Sequence, residues 1–263
     1  MGMKNKVVWI TGASSGIGEA VTYKMNQLGA KLILSSRKGE ALYKVKANCK
    51  GNPLDIHVLP LDLENSDSLA DIAAAAVKIY GRIDIIIHSG GVSQRSLAID
   101  TDIKVAQSIM NINFWGAVAL TQAILPGMIS RNSGHIVIIS SLVGKFGTKF
   151  RSAYSASKHA LHGYFDSLRT ETIPEINITI VCPGFIKTNV TYNALTADGS
   201  RQNTMDDAQA NGMSAVECAE AIVKAINSQK QEVYIGGKEK YGVLLKRLFP
   251  GLFSRIIRQA KVT

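Results

Sequence analysis

The sequence predicts a doubly wound α/β fold, with one parallel sheet covered by helices on both faces. Three observations carry this reading. Short apolar runs alternate with amphipathic stretches along the chain. Runs such as VVWIT (7–11) and HIVIIS (135–140) are apolar at successive positions, as strands buried on both faces are. A glycine-rich turn, Thr11-Gly12-Ala13-Ser14-Ser15-Gly16-Ile17-Gly18, separates the first strand from the first helix.

Each element follows from local signals. VVWIT (7–11) reads as a strand, and 16–28 as a helix ended by Gly29. KLILSS (31–36) is a strand, and 40–50 a polar helix. IHVLPL (56–61) is a strand, followed by the Ala-rich helix Ser66–Tyr80, which Gly81 stops. IDIIIHS (83–89) precedes a long helical stretch, 102–129, with Pro126 near its end. HIVIIS (135–140) leads into a helix at 151–172, before Pro174. NITIVC (177–182), a helix at 214–227 and EVYIG (232–236) complete the pattern. Right-handed crossovers make this a Rossmann-type sheet.

The chain has 263 residues, 46% hydrophobic and 19% charged. No Pro- or Ser-rich linker divides it, so one domain is expected at 1–237, with a basic tail at 238–263. Cys49, Cys182 and Cys218 have neither metal-ligand spacing nor an even number, which fits a reducing, cytoplasmic setting and no metal. The N-terminus lacks a signal-peptide run, and no stretch reads as the ~20 apolar residues of a spanning helix. Of the net charge of +10, six charges fall between Lys230 and Thr263. The basicity belongs to the tail and excludes a general nucleic-acid footprint.

The glycine turn is placed to hold a dinucleotide. Gly12 permits a tight exit from the strand, Gly16 lets backbone approach a pyrophosphate, and Gly18 lets the helix pack close. Ser14, Ser15 and Ile17 bring N–H groups to the phosphates at the helix start. After the second strand the chain reads Ser35-Ser36-Arg37-Lys38, with no acid for a ribose 2′-hydroxyl. Arg37 can fork onto a 2′-phosphate, which favours NADP(H) over NAD(H). Asp62, beside Leu63, either accepts from adenine or caps the next helix.

Tyr154 and Lys158 are four apart and share a helix face. A phenol titrates near 10, and a neighbouring cation favours its phenolate. Ser141 and Ser140 lie upstream.

With these residues in place, the chain resembles the short-chain dehydrogenase/reductase family over about residues 4–236. The glycine turn, Asp62-Leu63, a Ser thirteen residues before Tyr154, Tyr-x-x-x-Lys and Pro183-Gly184 occur in family order. The resemblance implies that Tyr154 exchanges a proton with the substrate oxygen and that Ser141 bonds that oxygen. It implies that Lys158 bonds the nicotinamide ribose and lowers the Tyr154 pKa, and that Asn113 holds a water relaying protons to Lys158. It makes Pro183, Gly184, Ile186 and Thr188 the clamp on the nicotinamide carboxamide. The family's Asn-Asn-Ala-Gly is here His88-Ser89-Gly90-Gly91. Ser89, Gly90 and Gly91 keep the turn beside the adenosine ribose, and His88 is expected as a bracing, non-catalytic residue. Local motifs are most similar to the member 7 group of dehydrogenase/reductases, which implies a lipophilic carbonyl substrate. The family also implies a homodimer or homotetramer, formed through 102–129 and 151–172.

Residues 189–213 read as a polar, mobile substrate lid, with Phe146, Phe150 and Val190 as candidate pocket walls. In the tail, Tyr241, Leu245, Leu248, Leu252 and Ile256 recur at helical spacing among basic residues, and Pro250-Gly251 splits the run into two short helices. Such helices either dock on the body or subunit interface or make peripheral contact with an anionic membrane. The expected function is NADP(H)-dependent interconversion of a small-molecule carbonyl and its alcohol. The alternatives are a 3-oxoacyl thioester reductase and a non-catalytic NADP(H)-sensing protein.

Overall fold

The computed structural model describes residues 2–260. Met1 and residues 261–263, including the tail's Lys261, lie outside the described residues. In chain order the structure contains β1 (Val7–Thr11), α1 (Gly16–Gln27), β2 (Lys31–Ser35), α2 (Gly39–Asn48), β3 (Ile56–Val58), α3 (Ser66–Tyr80), β4 (Ile85–His88), α4 (Ile103–Met110), α5 (Gly116–Ser130), β5 (Gly134–Ile139), α6 (Ser152–Glu171) and β6 (Ile176–Pro183). Then follow β7 (Ile186–Lys187), α7 (Asp207–Ala210), β8 (Met213–Ser214), α8 (Ala215–Asn227), β9 (Glu232–Ile235), α9 (Tyr241–Leu248) and α10 (Pro250–Gln259).

The main sheet has the order β3-β2-β1-β4-β5-β6-β9, and every adjacent pair is parallel. Alternate residues of each strand feed two separate cores. Val8, Ile10, Leu32, Leu34, Ile85 and Ile87 pack with helix residues Val21, Met25 and Ile222 on one face. Trp9, Ile33, Ile86, Ile136 and Ile178 pack with Leu69, Leu120 and Phe165 on the other. This explains the continuous apolar strands. At about 25 cal/mol per Å², such two-sided burial dominates the drive to fold.

Strand order reverses between β1 and β4, where Thr11 is in register with His88. The crossovers leave to opposite sides there, and the cleft opens beyond the strand ends.

Several boundaries differ from expectation. β3 ends at Val58, before Pro60, at the edge of the sheet. The stretch expected as one helix at 102–129 is α4, a π-helical turn over Asn111–Trp115, and α5. Contrary to the reading that no stretch approaches membrane-spanning character, Ile103–Ser130 is 28 residues long and meets the length and hydropathy criteria for a span. More than half of its most apolar window is buried inside the protein, as in a core helix. The break between α9 and α10 falls at Phe249, and Pro250 opens α10 with its preset φ.

Gly18 carries α1 against the end of β1. A Cβ there lies 2.3 Å from the Gly12 carbonyl oxygen, a backbone atom that cannot move aside. Gly18→Ala is therefore expected to lose about 1–3 kcal/mol of stability, measured by urea unfolding. An unchanged midpoint contradicts this packing.

Candidate active site

Gly12 adopts a positive φ of 67°, and a Cβ there lies 2.7 Å from the Gly90 backbone. The turns after β1 and β4 thus come into close contact at Gly12 and Gly90, and the Gly90 N–H donates to Thr11 Oγ1 at 3.2 Å. They form the floor of a continuous cleft of about 1360 Å³. Ser14, Ser15, Gly16 and Ile17 line one end, together with Ser36, Arg37, Asp62, Leu63, Ser89, Gly90 and Gly91. Ser15 makes no side-chain cap on α1, so the first-turn N–H groups are available to an anion. Gly18 lies beneath this surface, in the packing role expected of it.

At the end of β2, the Ser35 hydroxyl is engaged inside, accepting from Trp9 Nε1 and donating to the Leu59 carbonyl. Ser36 Oγ is buried without a partner among the described residues, and Ser36 lines the cleft beside exposed Arg37. A cleft with an orphaned hydroxyl and a cation at this end fits a phosphorylated ribose. Asp62 does not cap α3. Its Oδ1 accepts from the Glu64 N–H, and Asn65 precedes the helix without a side-chain cap.

The reactive groups meet further along the cleft. Ser141, Tyr154 and Lys158 line it with Pro183, Gly184, Ile186 and Thr188. β5 delivers Ser140 and Ser141, and their roles separate. Ser140 Oγ turns inward to the Lys158 carbonyl and His162. Ser141 Oγ accepts from the Val143 N–H and reaches the Pro183 carbonyl at 3.3 Å. α6 presents Tyr154 and Lys158 on one face, with Lys158 Nζ 5.7 Å from the phenol ring centroid. Lys158 Nζ donates to the Ile139 carbonyl at 2.8 Å, and burial lowers its pKa to about 8.

Tyr154 departs from the expectation of a lowered pKa. Burial raises its phenol above the usual value, opposed by the charge of Arg151, a hydrogen bond with Ser141 and the charge of Arg95. Two arginines thus act on the phenol, beside Lys158 at its ring face.

Asn113 sits in the π-helical turn, behind the cleft wall. Its Oδ1 accepts from the Val92 N–H, and its Nδ2 donates to the Val92 carbonyl and Ser157 Oγ. Asn113 and Lys158 both pack against Gly91. The amide side chain thus braces the loop after β4. His88 is also a brace: its Nε2 pairs with Thr121 Oγ1 at 2.9 Å, and burial lowers its pKa to about 3.

Thr188 packs against Gly16 and so closes the clamp onto the glycine turn. The Ile186 carbonyl accepts from Gln209. Phe146 and Val190 line the cleft as expected, but Phe150 does not. Phe150 has a positive φ and uses its carbonyl to accept from the Ser96 N–H.

The segment 189–213, expected to be mobile, is tied down. Leu195 bridges to Gln94 and Arg201, and Asp206 is buried against Arg95 and Arg151. Burial pushes Asp206 up, but hydrogen bonds from Arg95 and Gln202 and the two guanidinium charges hold it below the usual carboxylate range. Sequence reasoning missed Gln94, Arg95, Arg151 and Asp206, which no local spacing connects. It also missed Glu239, whose Oε1 accepts from the Phe185 and Gly237 N–H groups and joins the tail to the clamp.

A parallel doubly wound sheet with a glycine cradle and a Ser–Tyr–Lys cluster in one cleft defines a dinucleotide-dependent oxidoreductase. The profile of short chain dehydrogenases matches residues 6–199. The chain belongs to the short-chain dehydrogenase/reductase family. It is 40% identical over 261 residues to the mouse "Dehydrogenase/reductase SDR family member 7B", covering 97% of this chain and 81% of that protein. It is 38% identical over 266 residues to the Drosophila melanogaster "Dehydrogenase/reductase SDR family protein 7-like", covering 99% and 82%. A short-chain dehydrogenase from Streptomyces avermitilis superposes with a TM-score of 0.82 at 27% identity, covering 97% of this chain and 96% of that one. A Burkholderia cenocepacia short-chain dehydrogenase in complex with NADP superposes at 0.80 with 20% identity, covering 99% and 100%.

The depressed pKa of His88 has a consequence for stability. Between about pH 6.5 and 3 the unfolded chain binds a proton at His88 that the folded chain does not. Stability therefore falls as pH drops through this window, by up to about 1.4 kcal/mol per pH unit from this residue. His88→Asn should flatten urea midpoints between pH 4 and 7. A slope equal to wild type overturns the assignment.

Proposed function

We propose that the protein is an NADP(H)-dependent carbonyl reductase, reversible as an alcohol dehydrogenase, acting on a lipophilic ketone or aldehyde. The observation that carries this reading is the convergence of Ser141, Tyr154 and Lys158 on the cleft that Ser36 and Arg37 line at its other end. Bound along the glycine turn and the Pro183–Thr188 clamp, the dinucleotide supplies the hydride.

The chain's own residues supply position and a proton. Burial keeps Tyr154 protonated at neutral pH, which suits a general acid. Its Oη gives a proton to the carbonyl oxygen in reduction and takes one back in oxidation. The Ser141 hydroxyl donates to the same oxygen and fixes its place. Arg151 and Arg95 stabilise the phenolate left after proton transfer. Lys158, with its pKa lowered to about 8, is poised to return a proton near neutral pH. Residues 189–213 form the lid over this pocket.

The tail supports a lipophilic substrate. α9 and α10 dock on the body through Phe253, whose ring centroid lies 5.1 Å from that of Phe146. Leu244, Leu245, Leu248, Phe249 and Ile256 extend the cleft outward as an apolar wall. Leu244, Leu248, Phe249, Leu252 and Ile256 remain 48–58% exposed, among exposed Arg247, Arg255 and Arg258. Apolar side chains ringed by cations match an anionic bilayer surface, so the cleft mouth opens where lipophilic substrates concentrate. We assign self-association to the α4–α6 face, and the exposure of Ile103, Trp115 and Ile129 there supports it.

NADPH oxidation should be measured across ring ketones, aldehydes and 3-oxoacyl thioesters. Tyr154→Phe is expected to lower kcat about 10²–10⁴-fold while retaining NADPH binding. Retained turnover sinks the assignment. Arg37→Ala should raise the KM for NADPH about tenfold or more and leave NADH little changed, as loss of a charge-assisted bond requires. An equal change for both cofactors refutes the 2′-phosphate reading.

The full chain should float with anionic liposomes, and a Leu248→Glu/Leu252→Glu variant should not. Equal flotation of the two proteins removes the membrane reading.

A further inference from the structure

Gln94 lies in the loop after β4 and is fully buried. Its Oε1 accepts from the Ala153 N–H at 2.8 Å and the Tyr154 N–H at 3.2 Å. These are the second and third residues of α6, and first-turn N–H groups have no acceptor within their own helix. Arg151, the preceding residue, gives no side-chain cap. Two backbone donors also settle which end of the Gln94 amide is oxygen. Its Nε2 faces the hydroxyls of Ser96, Thr101 and Ser152 at 3.1, 3.0 and 3.2 Å. The catalytic helix is thus capped from another part of the chain, at the tyrosine itself.

The next residue holds the lid. Arg95 Nε donates to Asp206 Oδ2 at 2.9 Å, and its backbone N–H donates to the Leu195 carbonyl at 2.8 Å. The Leu195 N–H returns a bond to the Ser93 carbonyl at 2.9 Å. Arg151, at the start of α6, reaches the same Asp206 oxygen at 3.3 Å. One carboxylate oxygen therefore joins the lid, the loop and the root of the catalytic helix.

We propose that Gln94 and Arg95 are positioning residues that couple lid placement to the placement of Tyr154. Gln94 sets the position of Tyr154 through the first turn of α6. Arg95, through Asp206, sets the lid. The proposal rests on the carbonyl-reductase reading, because it assigns Tyr154 the proton transfer. Displacing a reacting group by about 1 Å can cost ~10²-fold in rate, so a cap at this point acts on turnover as well as on stability.

The test is a cycle of Gln94→Met, Asp206→Asn and the double variant, read by steady-state kinetics and amide hydrogen exchange. Gln94→Met should lower kcat about 10–100-fold while the NADPH dissociation constant stays within about threefold. Asp206→Asn should raise the carbonyl KM about tenfold. The double variant should lose less kcat/KM than the product of the single losses, as coupled sites do. Losses that multiply overturn the coupling, and an unchanged kcat in Gln94→Met overturns the role of Gln94.

Gln94→Glu keeps both acceptor bonds, and the three facing hydroxyls can turn to donate to it. Its charge beside Tyr154 should move the alkaline limb of the kcat profile upward, which a merely structural role does not predict. If Gln94→Met does not fold, that limb decides: an unmoved limb overturns the proposal. Exchange separates this outcome from failure of the reaction assignment. In a protein without carbonyl turnover, faster exchange at Ala153 and Tyr154 in Asp206→Asn supports the coupling, and unchanged exchange overturns it.

Discussion

The contact of Gly12 with Gly90 is the constraint on which the rest of the site depends. A Cβ on Gly12 falls 2.7 Å from backbone atoms of Gly90. The turns after β1 and β4 therefore approach closely at these glycines, where the Gly90 N–H also donates to Thr11 Oγ1. That approach occurs where the strand order reverses, so the crossovers diverge and leave the cleft between them. Phosphate-facing N–H groups lie on the β1 side, and Gly91 continues from the β4 side into contact with Asn113 and Lys158. A side chain at Gly12 would separate the cofactor end from the reactive end. The two halves share one surface because neither turn carries bulk.

The electrostatics follow from this enclosure. Burial raises the phenol of Tyr154 and lowers the ammonium of Lys158, so desolvation favours the neutral form of both. A protonated phenol beside an ammonium that releases its proton near pH 8 suits proton exchange better than a permanent phenolate–ammonium pair, which would hold its charges by mutual attraction. Arg151 and Arg95 act from the lid side and lower the cost of the phenolate once it forms. Their attachment to Asp206 links this electrostatic support to the position of the segment over the pocket.

Much of this was legible in sequence because the signals were local. Two-sided burial wrote itself into the apolar strands, and Gly12, Gly16 and Gly18 fell in one turn. Tyr154 and Lys158 were joined by helical spacing, and of the two serines set before them Ser140 turns its hydroxyl inward to the Lys158 carbonyl and His162. What escaped was long-range or conformational. Gln94 meets Ala153 across 59 positions, and Arg95 meets Asp206 across 111. No periodicity connects such pairs. The π-helical turn at Asn111–Trp115 has the composition of ordinary helix, and its extra residue per turn has no sequence mark. The raised phenol of Tyr154 escaped for a related reason. Spacing brings two groups together but does not rank a neighbour's charge against burial.

The tail shows how a common sheet acquires a particular pocket. β9 completes the sheet, and the chemistry lies along β1, β4, β5 and α6, so α9 and α10 add nothing to the reactive cluster. They and the turn before them are nevertheless fixed to the body, Lys246 of α9 donating to the Lys145 carbonyl at 2.7 Å. Glu239 bonds the Phe185 backbone inside the clamp, and Phe253 packs on Phe146 beside the substrate end. The helix pair keeps Leu244, Leu248, Phe249 and Ile256 half-exposed where they line the mouth of the cleft. On the proposed reading, substrate choice depends on the width and polarity of this mouth, while the proton and hydride chemistry stays with the sheet.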